Sequence, residues 1–362
     1  MRILILTPRV PWPPLDGGRI AMARLATSLR RFADVEVLSL NPRKHRVEDP
    51  HAVDIDTARL RFLPGVPFLV SRFYSRAFLD AVRAAMERFR PDVVQLESPF
   101  LLPYLDAVRG ARVVLRSLNV EFRIWEGLAR NERNPLRRLA LQRVAASLRK
   151  YEVRQLNAVN AIVPISAADA ADFRTLGCVK PMHVAPCGVE TRASTRGARN
   201  AVGFIGSLDF RPNQEAARWI LDELWPLVTA QLPEATLSIA GSNAPEWLRA
   251  RVLGAVQDAQ EFMSGMAVMI APLFAGGGMR IKVLEAMALG KPVVATKLGA
   301  GGIDAEQLVI AEDARSFADA VVRLLRDPEE AWRLGDAARE EVARKYDGDA
   351  IARELVSFYA SL

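Results

Sequence analysis

Apolar positions along this chain follow two alternating rhythms. Short runs rich in leucine, isoleucine and valine, RILILT (2–7), VEVLSL (35–40), DVVQL (92–96), RVVLR (112–116) and AIVPIS (161–166), read as buried strands. Between them, apolar residues recur at three- and four-residue spacing near 19–31, 74–90, 100–108 and 136–156, which predicts helices. The second half repeats the pattern, with strands at 202–206, 235–241, 251–256, 267–273 and 292–296 and helices over 213–230 and 279–289. Two or three more helices are expected from about 314 to 361. Strands alternating with helices predict βαβ units and parallel sheets.

The stretch TRASTRGARN (191–200) has no apolar period and is small, polar and basic, so it marks a boundary. The expected organisation is α/β: two doubly wound, Rossmann-like domains facing a central cleft. The N-terminal domain covers 1–192, a linker 193–200 and the C-terminal domain 201–345, with a last helix, 346–362, returning to the N-terminal domain. Ligands of such sheets bind outside the carboxyl ends of the strands.

Composition narrows the class. Half the residues are hydrophobic and a quarter charged, which excludes a disordered or fibrous chain. The longest apolar run, AVMIAPLFA (267–275), is half of what a spanning helix needs. Two cysteines give no disulfide framework and no metal finger, so the expected location is cytoplasmic. Charge is uneven: residues 1–196 hold 32 Lys+Arg against 19 Asp+Glu, and the rest 17 against 23. Such an excess suggests that the first half meets something anionic, and the helical stretch 135–156 concentrates it. There Leu136, Leu139, Val144, Leu148 and Tyr151 share a stripe among arginines, which suits either a core-facing helix or one lying on an anionic membrane.

The segment carrying most chemistry is APLFAGGGMRIKVLEAMALGKPVVAT (271–296): strand, glycine loop, helix, glycine, proline, strand. Gly276, Gly277 and Gly278 let backbone N–H groups approach an anion, and the helix N-terminus behind them is partly positive. Arg280 and Lys282 add full charges there, a combination suited to a diphosphate. The bland alternative is a glycine-rich turn feeding a helix with surface cations. Neither nucleotide-binding glycine motif, G-x-x-x-x-G-K-[ST] or G-x-G-x-x-G, is present in this segment. Asp54-Ile55-Asp56 is a D-x-D in a polar stretch, read as chance, and His45, His51 and His183 lack ligand spacing, so no metal site is expected.

This segment resembles the signature of family 4 glycosyltransferases of the GT-B fold, in the subgroup P-L-x-x-G-G-G-x-R-x-K-x-L-E-A-M-A-x-G-K-P-V-V. Other stretches match in order: PPLDGGRI (13–20), RSLNVEFRIWE (116–126), PCGVE (186–190), GFIGSLDFRPNQEAARWI (203–220) and VLGAVQD (252–258). The resemblance implies a retaining enzyme that moves a sugar from a nucleoside diphosphate sugar to a hydroxyl of a glycan or lipid-linked acceptor, in bacterial polysaccharide or glycolipid synthesis. It assigns Glu285 to the ribose hydroxyls, Arg280 and Lys282 to the diphosphate as catalytic cations, and the glycine loop to the donor. Gly17 and Gly18 correspond to an N-terminal loop near the phosphates, Val256 to a backbone contact with the base, and Arg211 to a phosphate-binding base. Asn119 and Glu121 fall on the acceptor side.

Two departures stand out. The first glutamate of the family's E-x(7)-E is Gly277, and the histidine of H-N-V-E is Leu118. No cofactor or metal is expected, because Arg280 and Lys282 could take the role of a divalent ion. Nucleic acid is not an expected partner, whereas peripheral contact with the anionic inner face of the plasma membrane is. A nucleotide-sugar epimerase on the same fold, or a catalytically weak GT-B partner subunit, are the alternative readings.

Overall fold

In a computed structural model of the chain, the described residues are 1–362 apart from 60, 194, 195, 276, 277, 304 and 305, and the side chain of His45. The chain divides into two compact units, Met1–Gly188 with Gly348–Leu362, and Val189–Asp347. The first break therefore falls at Gly188, a few residues before the expected 193–200 linker.

The first unit contains, in order, β1 (Arg2–Thr7), α1 (Gly17–Leu29), β2 (Asp34–Pro42), β3 (Val53–Ile55), α2 (Phe68–Ser71), α3 (Arg76–Phe89) and β4 (Val93–Leu96). It continues with β5 (Arg112–Ser117), α4 (Glu121–Asn131), α5 (Pro135–Gln155), β6 (Ala161–Pro164) and α6 (Ala167–Thr175). Six parallel strands run in the order β3-β2-β1-β4-β5-β6. Both faces of the sheet are covered, which is why its strands read as unbroken apolar runs. Leu4 and Leu6 enter one core with Phe78, Val82 and Tyr104, while Ile3 and Ile5 enter a second with Leu25 and Leu29 of α1. The helix expected at 100–108 is a 3-10 segment, Pro99–Ala107, because Pro103 inside it cannot donate to an α-helical turn. Short β3 and α4 have no counterpart in the apolar pattern: β3 is three residues long, and α4 fully buries Phe122 and Ala129 while most of its other residues are half-buried.

The second unit holds β7 (Ala201–Ile205), α7 (Arg211–Trp219), a π turn (Ile220–Leu224), α8 (Trp225–Gln231), β8 (Thr236–Ala240), α9 (Glu246–Arg249) and α10 (Ala259–Ser264). Then come β9 (Val268–Ala271), α11 (Ile281–Ala288), β10 (Val293–Ala295), β11 (Val309–Ile310), α12 (Ala314–Arg326) and α13 (Pro328–Lys345). Its parallel strands run β11-β10-β9-β7-β8. The single helix expected over 213–230 is interrupted by the π turn just before Pro226, a residue with no N–H for the preceding turn.

The strand expected at 251–256 does not form. Gly254 adopts φ +79°, a left-handed conformation incompatible with a strand, and only two hydrogen bonds tie the loop to β8: Leu253 N to Ile239 O (2.8 Å) and Gly241 N to Gly254 O (2.8 Å). The last helix, α14 (Gly348–Ala360), belongs to the first unit. It sets Ile351, Ala352, Leu355 and Tyr359 into the Ile3–Ile5 core.

Candidate functional site

Three loops at the carboxyl ends of adjacent strands carry the candidate site of the second unit. They follow β7 (residues 206–210), β9 (described residues 272–275 and 278–280) and β10 (296–303), with β9 between the other two in the sheet. Glycine makes their close approach possible. A Cβ on Gly299 would overlap Ala271 O, and one on Gly206 would lie 2.8 Å from Asn213 Nδ2. Thr296 locks the third loop to the second: its Oγ1 donates to Leu273 O (2.6 Å) and accepts from Gly299 N (2.9 Å).

Arg280 precedes α11 as its N-cap residue. Its Nε donates to Leu298 O (3.1 Å) and its backbone N–H to Gly301 O (3.3 Å), so the β10 loop holds both ends of the residue. Lys282 lies in the first turn of α11, half-buried, with Nζ donating to Asn213 Oδ1 (2.9 Å) and standing 4.3 Å from the centre of the Phe204 ring. Asn213 is itself fixed by a bond from Nδ2 to Ser207 O (2.8 Å). Burial holds the Arg280 guanidinium at about 10, and burial together with neighbouring Arg280 holds the Lys282 ammonium at about 7. Two desolvated cations within three residues make a spot that an anion would stabilise.

Glu285, Gly278, Arg211 and Val256, also expected at the donor, lie in the same unit. Glu285 lies one turn further along α11 and is nearly covered, 8% exposed. Gly278 takes φ +70°, while Gly276 and Gly277 lie outside the described residues. Arg211 starts α7 with an exposed side chain whose Nε donates to Glu215 Oε1 (2.8 Å). Val256 sits half-buried in the loop tied to β8, two residues before Asp258, the cap of α10. Asn213 escaped the sequence reading although it lies in the FRPNQEAARWI stretch; asparagine near a helix start looks like a capping residue, and only the fold aims it at Lys282.

A second cluster lies in the first unit. Gly17 and Gly18 open α1 beneath Asp16, whose Oδ1 caps the helix by accepting from Arg19 N (3.1 Å). Arg9 grips the same carboxylate with two contacts, 2.9 and 3.0 Å, and a Cβ on Gly18 would overlap its guanidinium. Glu121 is the first residue of α4, and Asn119 precedes it in a turn where Ser117 Oγ donates to Asn119 O (2.5 Å). Glu152, from α5, caps α4: Oε1 accepts from Glu121 N (3.1 Å) and Oε2 from Phe122 N (2.8 Å). Burial, then the Glu152 charge, push the Glu121 carboxyl up to about 8, against the pull of Arg9; burial pushes Glu152 to about 7 against its two backbone bonds. Arg9 and Glu152 gave no signal in the sequence, since a single charged residue in a loop or on a basic helix does not reveal its partner.

Elsewhere, Asp54 of the D-x-D bonds Asn41 Nδ2 (2.9 Å) and pairs with Arg46 (2.6 Å) at the sheet edge. Among the described residues no helix is long and apolar enough to cross a membrane.

Comparison with known proteins places this geometry. Residues 15–193 match the family described as Glycosyltransferase Family 4, and residues 199–327 match Glycosyl transferases group 1. An uncharacterized 44.6 kDa protein in the cps region of Klebsiella pneumoniae is 22% identical over 97% of both chains. The phosphatidyl-myo-inositol mannosyltransferase of Mycobacterium leprae is 34% identical over 44% of this chain and 46% of its own length. HepE of Anabaena, solved with UDP and with UDP-glucose, superimposes over the whole of both chains with a TM-score of 0.68 at 15–16% identity. With two parallel Rossmann-like sheets and both family matches in order along its length, the chain belongs to the family 4 glycosyltransferases of the GT-B fold.

Proposed function

We propose that this glycosyltransferase is a retaining enzyme whose second unit binds the diphosphate of a nucleoside diphosphate sugar and whose acceptor is a hydroxyl of a glycan or lipid-linked sugar. The observation that carries the reading is the desolvated pair Arg280 and Lys282 at the head of α11, held by Leu298 O, Gly301 O and Asn213. Desolvation makes the charged forms of these groups costly, and a bound diphosphate relieves that cost. Negative charge on the diphosphate grows as the glycosidic bond breaks, so fixed cations and loop amides stabilise the transition state more than the ground state. The leaving phosphate then assists attack of the acceptor hydroxyl from the same face, which preserves configuration. Glu285 takes the ribose hydroxyls, Gly276–Gly278 and Arg211 the phosphates, and Val256 the base. The family resemblance assigns Gly17 and Gly18 to the donor phosphates, and Asn119 and Glu121 to the acceptor. The mannosyltransferase relative and the neighbour solved with UDP-glucose support a nucleotide sugar as the donor, and a relative in a cps region suits polysaccharide or glycolipid synthesis.

Calorimetric titration with a panel of UDP- and GDP-sugars, followed by assays of donor hydrolysis and transfer, tests the reading. Glu285→Gln is expected to weaken donor binding without unfolding the protein. Arg280→Ala is expected to lower kcat more than it raises KM. Turnover is expected to persist in EDTA, since the cations at 280 and 282 meet the diphosphate. Wild-type kinetics in both folded variants would remove α11 from the site. An altered sugar still on its nucleotide would indicate an epimerase, and binding without turnover a partner subunit.

A further inference from the structure

Helix α5 is two helices in character. Its buried positions begin at Ala145 and continue with Leu148, Tyr151 and Glu152, so its C-terminal half is core. The preceding turns, from Pro135 to Ala140, are exposed on every side. Leu136 is 78% exposed and Leu139 45%, three residues apart and therefore neighbours on one face. These leucines are not left over from packing: Asn134 Oδ1 caps the exposed end by accepting from Leu136 N (3.0 Å) and Arg137 N (3.1 Å), with Pro135 at the first helical position. The sequence builds this end as a helix in water, and then covers it with leucine and arginine.

Cations surround it. Arg137, Arg138 and Arg143 flank the leucines, and a groove of about 960 Å³ between α4, α5 and α6 is lined by Arg123, Arg130, Arg149, Lys150 and Arg154 against Glu126. Arg123 is neutralised by Glu126 and Asp172, both at 3.2 Å, and Arg154 donates to Gly65 O (2.6 Å). Among the described residues Arg130, Arg137, Arg138, Arg143, Arg149 and Lys150 pair with no carboxylate. A soluble polyanion would answer these charges but would leave Leu136 and Leu139 in water. A surface that offers phosphates with hydrocarbon directly behind them answers both.

We propose that the α4–α5 hairpin is a membrane-docking element, in which Leu136 and Leu139 enter the acyl boundary of an anionic bilayer while Arg137, Arg138, Arg143 and the groove cations meet lipid phosphates. The surface lies wholly in the first unit and stands independently of the donor site. It also divides the 135–156 stripe between its two readings: Leu148 and Tyr151 are core, Leu136 and Leu139 are contact residues.

Flotation of the full chain with vesicles of phosphatidylcholine alone, and of phosphatidylcholine with phosphatidylglycerol, tests this. The protein is expected to float only with the mixed vesicles and to be released by salt. The combined change Arg137→Gln, Arg138→Gln, Arg143→Gln should lower partitioning by on the order of 100-fold. Leu136→Ser with Leu139→Ser should lower it by roughly tenfold or more. Thermal melts establish that the variants are folded. A fluorophore on Leu139→Cys should shift to the blue on mixed vesicles and not on neutral ones, which reads insertion in an otherwise unaltered surface. Equal recovery with both vesicles, no recovery with either, a leucine variant that floats like wild type, or an unshifted fluorophore would overturn the proposal.

Discussion

Lys282 shows how burial turns an ordinary residue into a sensitive one. Its ammonium is held at about 7 by burial and by Arg280, whereas in an unfolded chain it titrates near about 10.4. Between these values the unfolded chain holds the extra proton, so this group makes stability rise with pH; below about 7 both states are charged and the penalty is fully present. Lys282→Met should therefore gain on wild type most below pH 7, with the difference in urea midpoint narrowing toward pH 10. A pH-independent difference would mean that the lysine is ordinary. If a diphosphate binds there, its affinity should fall as pH climbs past about 7, because the anion prefers the charged lysine. A second buried charge behaves differently. Arg116 is fully buried, with Nη1 on Glu97 Oε2 at 2.7 Å, and Gln95 links Glu97 to Tyr359 through hydrogen bonds. Arg116→Met leaves the Glu97 carboxylate buried without its cation and should cost about 3–5 kcal/mol in denaturant unfolding. Adding Glu97→Gln should recover much of that loss, and a purely additive double variant would show that the pair is not coupled.

Among the elements, α14 is the one whose importance its sequence understates. GDAIARELVSFYA reads as an ordinary amphipathic helix at the chain end, a place where truncation is commonly tolerated. Here Leu355 and Tyr359 complete the core that holds Ile3, Ile5, Val93 and Val114, and Tyr359 Oη donates to Gln95 Oε1 at 2.5 Å. Truncation after Asp347 would strip one face of the first sheet. The expected result is rapid proteolysis of the first unit, while Tyr359→Phe alone should cost only about 1 kcal/mol. A truncated chain as protease-resistant as the full one would contradict the packing. Element α11 shows the opposite case: Val283, Leu284, Met287 and Ala288 bury its far side, so a core anchors the helix while the β10 loop and Asn213 hold the cations at its start.

At the scale of the whole molecule, each unit has its own parallel sheet and its own apolar clusters. Units with separate cores are separate cooperative systems to a first approximation. Scanning calorimetry should resolve two transitions, and a nucleoside diphosphate that binds the second unit should raise one of them, by mass action, more than the other. One transition shifting as a block would show that the units unfold together. The uneven charge, carried by the arginines of the first unit, belongs to this scale as well: it predicts salt-sensitive association with anionic surfaces and leaves the fold class untouched.

The α/β class and most strands were legible because fully buried parallel strands must be apolar on both faces, and RILILT or VMIA can satisfy little else. The glycine loop with Arg280, Lys282 and Glu285 was legible for a related reason: glycines, cations and a helix start are contiguous in the chain. Partners from distant segments were not. Asn213 reaches Lys282 across 69 positions, Glu152 caps α4 across 31, and Tyr359 meets Gln95 across 264. The 251–256 run shows the same limit from the other side, since its apolar residues suit a strand but Gly254 at φ +79° turns the chain away. Local sequence determines what each segment can become, because periodicity and propensity act over a few residues. Which segment a side chain finally meets, and so whether Leu148 lies in a core while Leu136 lies in water, is decided only when the sheets and helices close around one another.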